Sequence, residues 1–242
     1  SGGTGMYAIV GEPVGTFKAE VPKRSPDGKI VVNASTGLPV ADDEMQIVGD
    51  MNYDYQMGIS TTLKYKGLSL SADMDIRQGG LMFSRTKDIE YFTGNAIQTA
   101  YNDRNDFIIP NSVNEITDAE GNVAYVENET AIGLTGFNNK IYNYWDAGGD
   151  MMGSSFLIDK SYVKLRSVVL SYELPKAWFK DFFVKNVVLS AYGSNLFVWT
   201  PASNTFVDPE LTSFGNDLEG NFGEYSANPS SRHFGFNLKF NF

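Results

Sequence analysis

The stretch Asp54–Arg77, "DYQMGISTTLKYKGLSLSADMDIR", decides the fold class. Its apolar and polar residues alternate with period two, the period of a strand with one apolar face. In the first half Tyr55, Met57, Ile59, Thr61, Leu63 and Tyr65 share one face, and Asp54, Gln56, Gly58, Ser60, Thr62 and Lys64 share the other. In the second half Leu68, Leu70, Ala72, Met74 and Ile76 oppose Ser69, Ser71, Asp73, Asp75 and Arg77. Lys66-Gly67 lies between them as a two-residue turn. The residues flanking such a turn pair and point the same way. Here they are Tyr65 and Leu68, both members of the apolar sets, so turn and pattern demand the same register.

The same alternation recurs along the chain. The segment Arg232–Phe242, "RHFGFNLKFNF", puts Phe234, Phe236, Leu238, Phe240 and Phe242 on one face, with His233, Gly235, Asn237, Lys239 and Asn241 on the other. "NVVLSAYGSNLFVW" (186–199) reads as a further strand. "SYVKLRSVVLSYELP" (161–175) is mixed, because Lys164 and Arg166 share parity with Val168 and Leu170. A bulge is the expected device for switching faces there. Pro175 ends this strand, and "KAWFKDFF" reads as a short amphipathic turn or helical piece. Helical periodicity is nearly absent elsewhere.

Composition narrows the classes. The chain has 242 residues, a net charge of -10 and a pI near 4.6, which argues against nucleic acid as a partner. Mean hydropathy is -0.23, and no run approaches the roughly 18 apolar residues of a membrane helix. Barrel strands alternate and average to a polar composition, so a membrane stays open. With no cysteine there are no disulfides, thiol catalysis or thiolate metal sites. The start, "SGGTGMYAIV", has no signal-peptide pattern, so an exported protein implies a fragment or a processed piece.

The connections alternate in length. The Lys66-Gly67 turn and the 174–185 connection are short, whereas 1–53, 85–157 and 200–231 are long, rich in Gly, Asn and Asp, and weakly patterned. Short turns at one end and long loops at the other are the layout of an outer-membrane barrel. Each strong strand is about ten residues long, enough to cross a bilayer at a tilt. Mid-strand charges such as Lys64, Asp73, Asp75, Arg77 and Lys239 belong in a hydrated lumen. Tyr55, Phe83, Phe197, Trp199 and Phe234 collect at one set of strand ends, and Tyr65, Tyr172, Trp178 and Phe242 at the other, as interfacial girdles do. The reading is an all-β, antiparallel transmembrane β-barrel segment with long extracellular loops. Its divisions are loop 1–53, hairpin 54–84, loop 85–157, hairpin 158–199, loop 200–231 and terminal strand 232–242. About five strands cannot close a barrel, so this reading requires more chain before Ser1.

Several stretches in this order resemble the C-terminal part of SusC/RagA-type TonB-dependent outer-membrane transporters of the Bacteroidota. They are "VGEPVGTF" (Val10–Phe17), "YDYQMGISTTLKYKGLSLS", "SYVKLRSVVLSYELPK", "LSAYGSNLFVWT", "DPE" (Asp208–Glu210) and "RHFGFNLKFNF". The resemblance implies the last strands of a barrel of roughly 22. It implies outer-membrane import of oligosaccharides or peptides with a SusD-like surface lipoprotein, with TonB acting through parts absent from this chain. It also implies that Phe240 and Phe242 carry the barrel-assembly signal. Two other classes stay open: a soluble glycan-binding β-domain, and a non-importing scaffold barrel in an outer-membrane assembly.

No enzyme class emerges. His233, the one histidine, has its parity on the polar face, and one strand cannot supply the nucleophile or metal partner a catalytic histidine needs. Asp27, Asp42, Asp43 and Glu44 are too dispersed for an EF-hand loop, so no metal or other cofactor is expected. The best candidate for contact with a ligand or partner is "GFNNKIYNYWDAGGD". Tyr142, Tyr144 and Trp145 would stack on sugar rings or pack on a peptide, and Asn138, Asn139, Asn143 and Asp146 would supply hydrogen bonds. The alternative is that these rings pack the loop against its neighbours.

Overall fold

The computed structural model describes residues 3–133, 144–145, 152–180, 183–213 and 222–242. In chain order the strands are β1 (Thr4–Tyr7), β2 (Thr16–Ala19), β3 (Ile30–Val32), β4 (Gln46–Asp50), β5 (Tyr55–Tyr65), β6 (Leu68–Gln78) and β7 (Leu81–Ser84). The α-helix α1 (Arg85–Phe92) follows. Then come β8 (Ser112–Thr117), β9 (Val123–Glu127), β10 (Leu157–Asp159), β11 (Tyr162–Glu173), β12 (Asn186–Trp199), β13 (Gly223–Glu224) and β14 (His233–Asn241). Among the described residues no helix is long and apolar enough to cross a membrane, which says nothing of strands. The chain divides into two compact units, one of 53–80, 159–211 and 228–242 and the other of the remaining segments.

The first unit is built on a five-stranded antiparallel sheet of order β14-β12-β11-β6-β5. Tyr65 pairs with Leu68 across the turn, and the register runs unbroken to Tyr55 and Gln78. Lys66 and Gly67 both adopt positive φ, 44° and 84°, the type I′ geometry whose twist matches a hairpin. The mixed pattern of β11 resolves as a bulge. Leu165 pairs with Met74 and Ser167 with Asp73, so Arg166 is the extra residue. Tyr162, Lys164 and Arg166 therefore keep one face, while Val168 and Leu170 switch to join Val163 and Leu165 on the other. The partner strand bends at the same level, where Asn195 takes a positive φ of 52° and the β11–β12 register shifts. "KAWF" forms a 3-10 turn, Lys176–Phe179.

Cross-strand partners share a face, so the registers define two faces. One carries Ile59, Met74, Leu165 and Phe197 at one level and Leu63, Leu70, Leu170, Ala191 and Phe236 at another. This face is open: Phe236 is 90% exposed, Phe234 73% and Leu63 64%. The other face is polar and cross-linked by hydroxyls. Ser60 and Ser167 both donate to Asp73, at 2.7 and 2.6 Å, and Ser171 lies 2.8 Å from Ser190. On it Gly235 opposes Tyr192, whose ring occupies the space a Cβ would need.

The second unit departs from expectation. Its segments carry no clear period, yet they form three small sheets of order β1-β2-β4, β10-β7-β13 and β3-β8-β9. Two pairings, β3 with β8 and β13 with β7, are parallel. Strands this short display too few residues for alternation to register. Phe83 also departs from its assignment as a girdle residue. It lies in β7, is buried, and packs on Phe222 and Tyr225 with ring centroids 5.5 and 5.7 Å away. Ser84 caps α1, accepting from the Lys87 amide at 3.1 Å and donating to the buried Glu224 at 2.6 Å.

Candidate functional site

The polar face of the five-stranded sheet carries a charged network at one end. β11 contributes Tyr162, Lys164 and Arg166, β6 contributes Asp75 and Arg77, and the segment 200–211 contributes Asp208 and Glu210. That segment is pre-shaped. Asn204 is fully buried, its side-chain amide donates to the Val207 carbonyl at 3.1 Å, and its Oδ1 accepts from the amides of Phe206 and Val207. Asp208 Oδ1 accepts the Glu210 amide at 3.0 Å, an Asx turn that aims both carboxylates the same way.

Lys164 Nζ meets Asp208 Oδ1 and Glu210 Oε2, each at 2.5 Å. Arg166 grips Glu210 with both ends of its fork, Nη1 to Oε2 and Nη2 to Oε1 at 2.6 Å. Its Nη2 also donates to Asp75 at 2.6 Å. The Tyr162 hydroxyl lies 2.7 Å from Glu210 Oε1 and 3.0 Å from Asp75 Oδ2, with one proton to donate between them. Arg77 sits 3.6 Å from Glu210. Three cations thus face three carboxylates. That balance is what withdrawal from water requires, since an unpaired buried charge costs several kcal/mol. Burial pushes the Glu210 carboxyl upward, but hydrogen bonds from Arg166, Lys164 and Tyr162 outweigh it and hold the group at about 2. Beside the network, Lys160 lies under the Tyr53 ring at 4.8 Å. Burial, with Arg77 nearby, lowers its ammonium to about 8. The arrangement fastens a loop to a sheet. It presents no nucleophile beside a base, and among the described residues no group of three or more His, Asp or Glu could hold a metal.

The residues singled out from sequence fall elsewhere. Asn138, Asn139 and Tyr142, with Asn143 and Asp146, lie outside the described residues. Tyr144 and Trp145 belong to the second unit, where both are partly buried against a core of Val32, Leu38, Ile109 and Ile132. Tyr144 meets Trp145 edge-on at 4.7 Å and Phe107 at 5.9 Å, and Trp145 meets Tyr91 at 5.3 Å. Burial, then the nearby Tyr101, raises the Tyr144 phenol. In this unit a cavity of about 510 Å3 opens between 108–113 and 125–128. Phe240 lies on the open apolar face opposite Val187, and Phe242 stacks on Phe183 at 5.5 Å. His233 stands on the polar face opposite Ser194, its Nε2 2.9 Å from the Ser231 hydroxyl. Sequence reasoning missed the network itself. Its signals were present separately, as the broken alternation at Lys164 and Arg166 and as the "DPE" segment.

No family model matches the chain. It is 23% identical over 207 residues to TonB-dependent receptor P26 of Formosa agariphila, a match covering 83% of this chain and 18% of that protein. To TonB-dependent receptor P3 of the same organism it is 25% identical over 222 residues, covering 89% and 19%. The chain therefore spans under a fifth of these relatives' length. Among solved structures it matches the RagAB peptide importer in its open-open state, with TM-score 0.54, 16% identity, and coverage of 94% of this chain and 22% of that one. The closed-closed state matches with TM-score 0.55 and 15% identity, covering 97% and 24%. At this identity the structural likeness is one of fold. The proteins it resembles in sequence are TonB-dependent receptors. Over part of such a receptor's length the chain is SusC/RagA-like.

Proposed function

We propose that the chain is the C-terminal segment of a TonB-dependent outer-membrane importer, a β-barrel of roughly 22 strands. The five-stranded sheet is barrel wall, its apolar face against lipid and its polar face toward a wet lumen. The segments 1–53, 85–157 and 200–231 are extracellular, and part of them docks a SusD-like surface lipoprotein. TonB supplies energy from the periplasm. The cargo is oligosaccharide or peptide, moved by binding and gated passage with no covalent step. The likeness to a peptide importer weighs toward peptide.

The observation that carries this reading is how the sheet treats its two faces. Along β5 and β14 both faces are exposed, and the apolar face carries Ile59, Leu63, Leu70, Leu170, Leu189, Phe234, Phe236 and Leu238 uncovered, while the polar face buries Lys164 at one end. A water-soluble sandwich does the reverse, and an exposed apolar face this continuous fits a membrane.

The test is single-cysteine scanning along β6 of the full-length protein in outer-membrane vesicles. Cysteines at Leu70, Ala72 and Met74 should react with a lipid-phase maleimide, and those at Ser69, Ser71 and Asp73 with a water-soluble one. Uniform aqueous labelling overturns the membrane reading. Uptake of labelled oligopeptides and oligosaccharides, with and without TonB, then tests import and selects the cargo.

A further inference from the structure

The sheet β3-β8-β9 ends at β9, and no described strand lies beyond it. The hydrogen bonds of the β8–β9 hairpin show which backbone groups face that open side. The Asn128 amide donates to the Ser112 carbonyl at 3.3 Å, and the Asp118 amide to the Asn122 carbonyl at 3.0 Å. With the register Val113↔Glu127 through Thr117↔Val123, the pairs that exchange hydrogen bonds are Asn114↔Val126 and Ile116↔Ala124. The N–H and C=O groups of Val123, Tyr125 and Glu127 therefore point away from β8. They form a row of three donors and three acceptors at the two-residue spacing of a strand.

The chain around this row is acidic, and the cations near it, Lys23 and the cavity-lining Lys29, are paired with Glu115 and Asp27. From Asn105 to Asn139 the chain holds six carboxylates, Asp106, Glu115, Asp118, Glu120, Glu127 and Glu129, and no Lys or Arg. Glu115 is paired with Lys23 at 2.8 Å, and Asp118 accepts from Asn122. Glu120, Glu127 and Glu129 are exposed, with no ion pair among the described residues. Val123 and Val126 are also exposed. Tyr125 and Glu127 share a strand face and border the cavity of about 510 Å3, whose walls include Ile108, Pro110 and Val113.

We propose that the edge of β9 facing away from β8 takes up an extended segment of another protein as a fourth strand. That segment is basic, with Lys or Arg facing Glu127 and an apolar residue facing Val126. Backbone hydrogen bonds supply attraction without sequence preference, and the alternating faces supply selection. A second copy of this chain is disfavoured as the occupant, because its net charge is -10 and β9 against β9 would set acid beside acid. The proposal stands independently of import, since it concerns one edge of one small sheet.

The experiment titrates the full-length protein in detergent with a blocked heptapeptide of alternating lysine and valine. Heat of binding and amide hydrogen exchange are the readouts. Saturable binding is expected, weakening at least about tenfold as salt rises from about 50 to 500 mM. Exchange should slow at Tyr125 and Glu127. Tyr125→Pro removes an N–H that β8 does not use and should abolish binding, and Glu127→Lys should shift preference to a glutamate–valine peptide. The same lysine–valine peptide with alternate amides N-methylated should not bind the unaltered protein, which controls for any distortion by proline. Absence of saturable binding, equal binding of the methylated peptide, or equal binding of the glutamate–valine peptide by the unaltered protein overturns the proposal.

Discussion

Glu210 shows what a single residue contributes here. It takes the fork of Arg166, one contact from Lys164 and one from Tyr162. Glu210→Gln keeps the shape and removes the charge, leaving Lys164 and Arg166 short of a partner. The expected loss of unfolding free energy is about 3 kcal/mol at pH 7, read from denaturant unfolding of the full-length protein in detergent. The pH dependence has a definite sign. The folded carboxyl sits at about 2 against an ordinary value of 4.5, so its contribution is complete above 4.5 and lost as pH falls from there toward 2. The gap between wild type and Glu210→Gln should therefore narrow below 4.5, and a gap independent of pH would sink this account. The "DPE" segment was visible in the sequence as a point of resemblance. That it closes on Lys164 and Arg166, 46 and 44 positions before Glu210, was not, because spacing along a chain carries no information about which loop folds back on which strand.

At the scale of the element, the turn and the bulge are the testable parts. Gly67 has φ +84°, and an added Cβ would sit 3.0 Å from the Glu173 carbonyl oxygen. Gly67→Ala should cost about 1–2 kcal/mol, read as a lower unfolding midpoint. Lys66→Asn should be neutral or favourable, since Asn-Gly is a preferred pair for this turn. Deleting Arg166 restores plain alternation to β11, so Val163, Leu165, Val168 and Leu170 keep their face. The sheet should survive, as judged by circular dichroism, while residues 200–211 become susceptible to protease. Loss of the sheet in that variant would mean the bulge is needed for pairing with β12. The hairpin was legible because a two-residue turn and a period-two pattern constrain each other. The small sheets of the second unit were not, because strands of two to six residues, some with parallel partners, leave no period to read.

At the scale of the whole molecule, the two faces of the sheet make opposite predictions for one substitution. Ile59→Arg places a cation on the open apolar face near mid-strand, which in lipid costs about 2–4 kcal/mol. It should lower the yield of heat-modifiable barrel in the outer membrane. Ser60→Arg, one residue on, points beside Asp73 on the polar face and should be tolerated. Equal tolerance of both would count against a lipid-facing surface. Phe242→Ser tests the assembly role implied for that residue. It removes the ring stacked on Phe183 and should reduce outer-membrane insertion, measured as barrel yield.

By itself the sequence determined the strands of the large sheet, the faces of β5, β6 and β14, the hairpin register and a bulge as the device that would switch the faces of β11. Each follows from local alternation and turn chemistry, which act between residues close in the chain. Only the tertiary structure decided that Phe83 is buried in β7, that Tyr144 and Trp145 pack on a core, and that Asp208 and Glu210 neutralise Lys164 and Arg166. Those outcomes depend on which distant segments exclude water together. A buried charge takes whichever opposite charge the fold brings within reach, and no pattern along the chain records that choice.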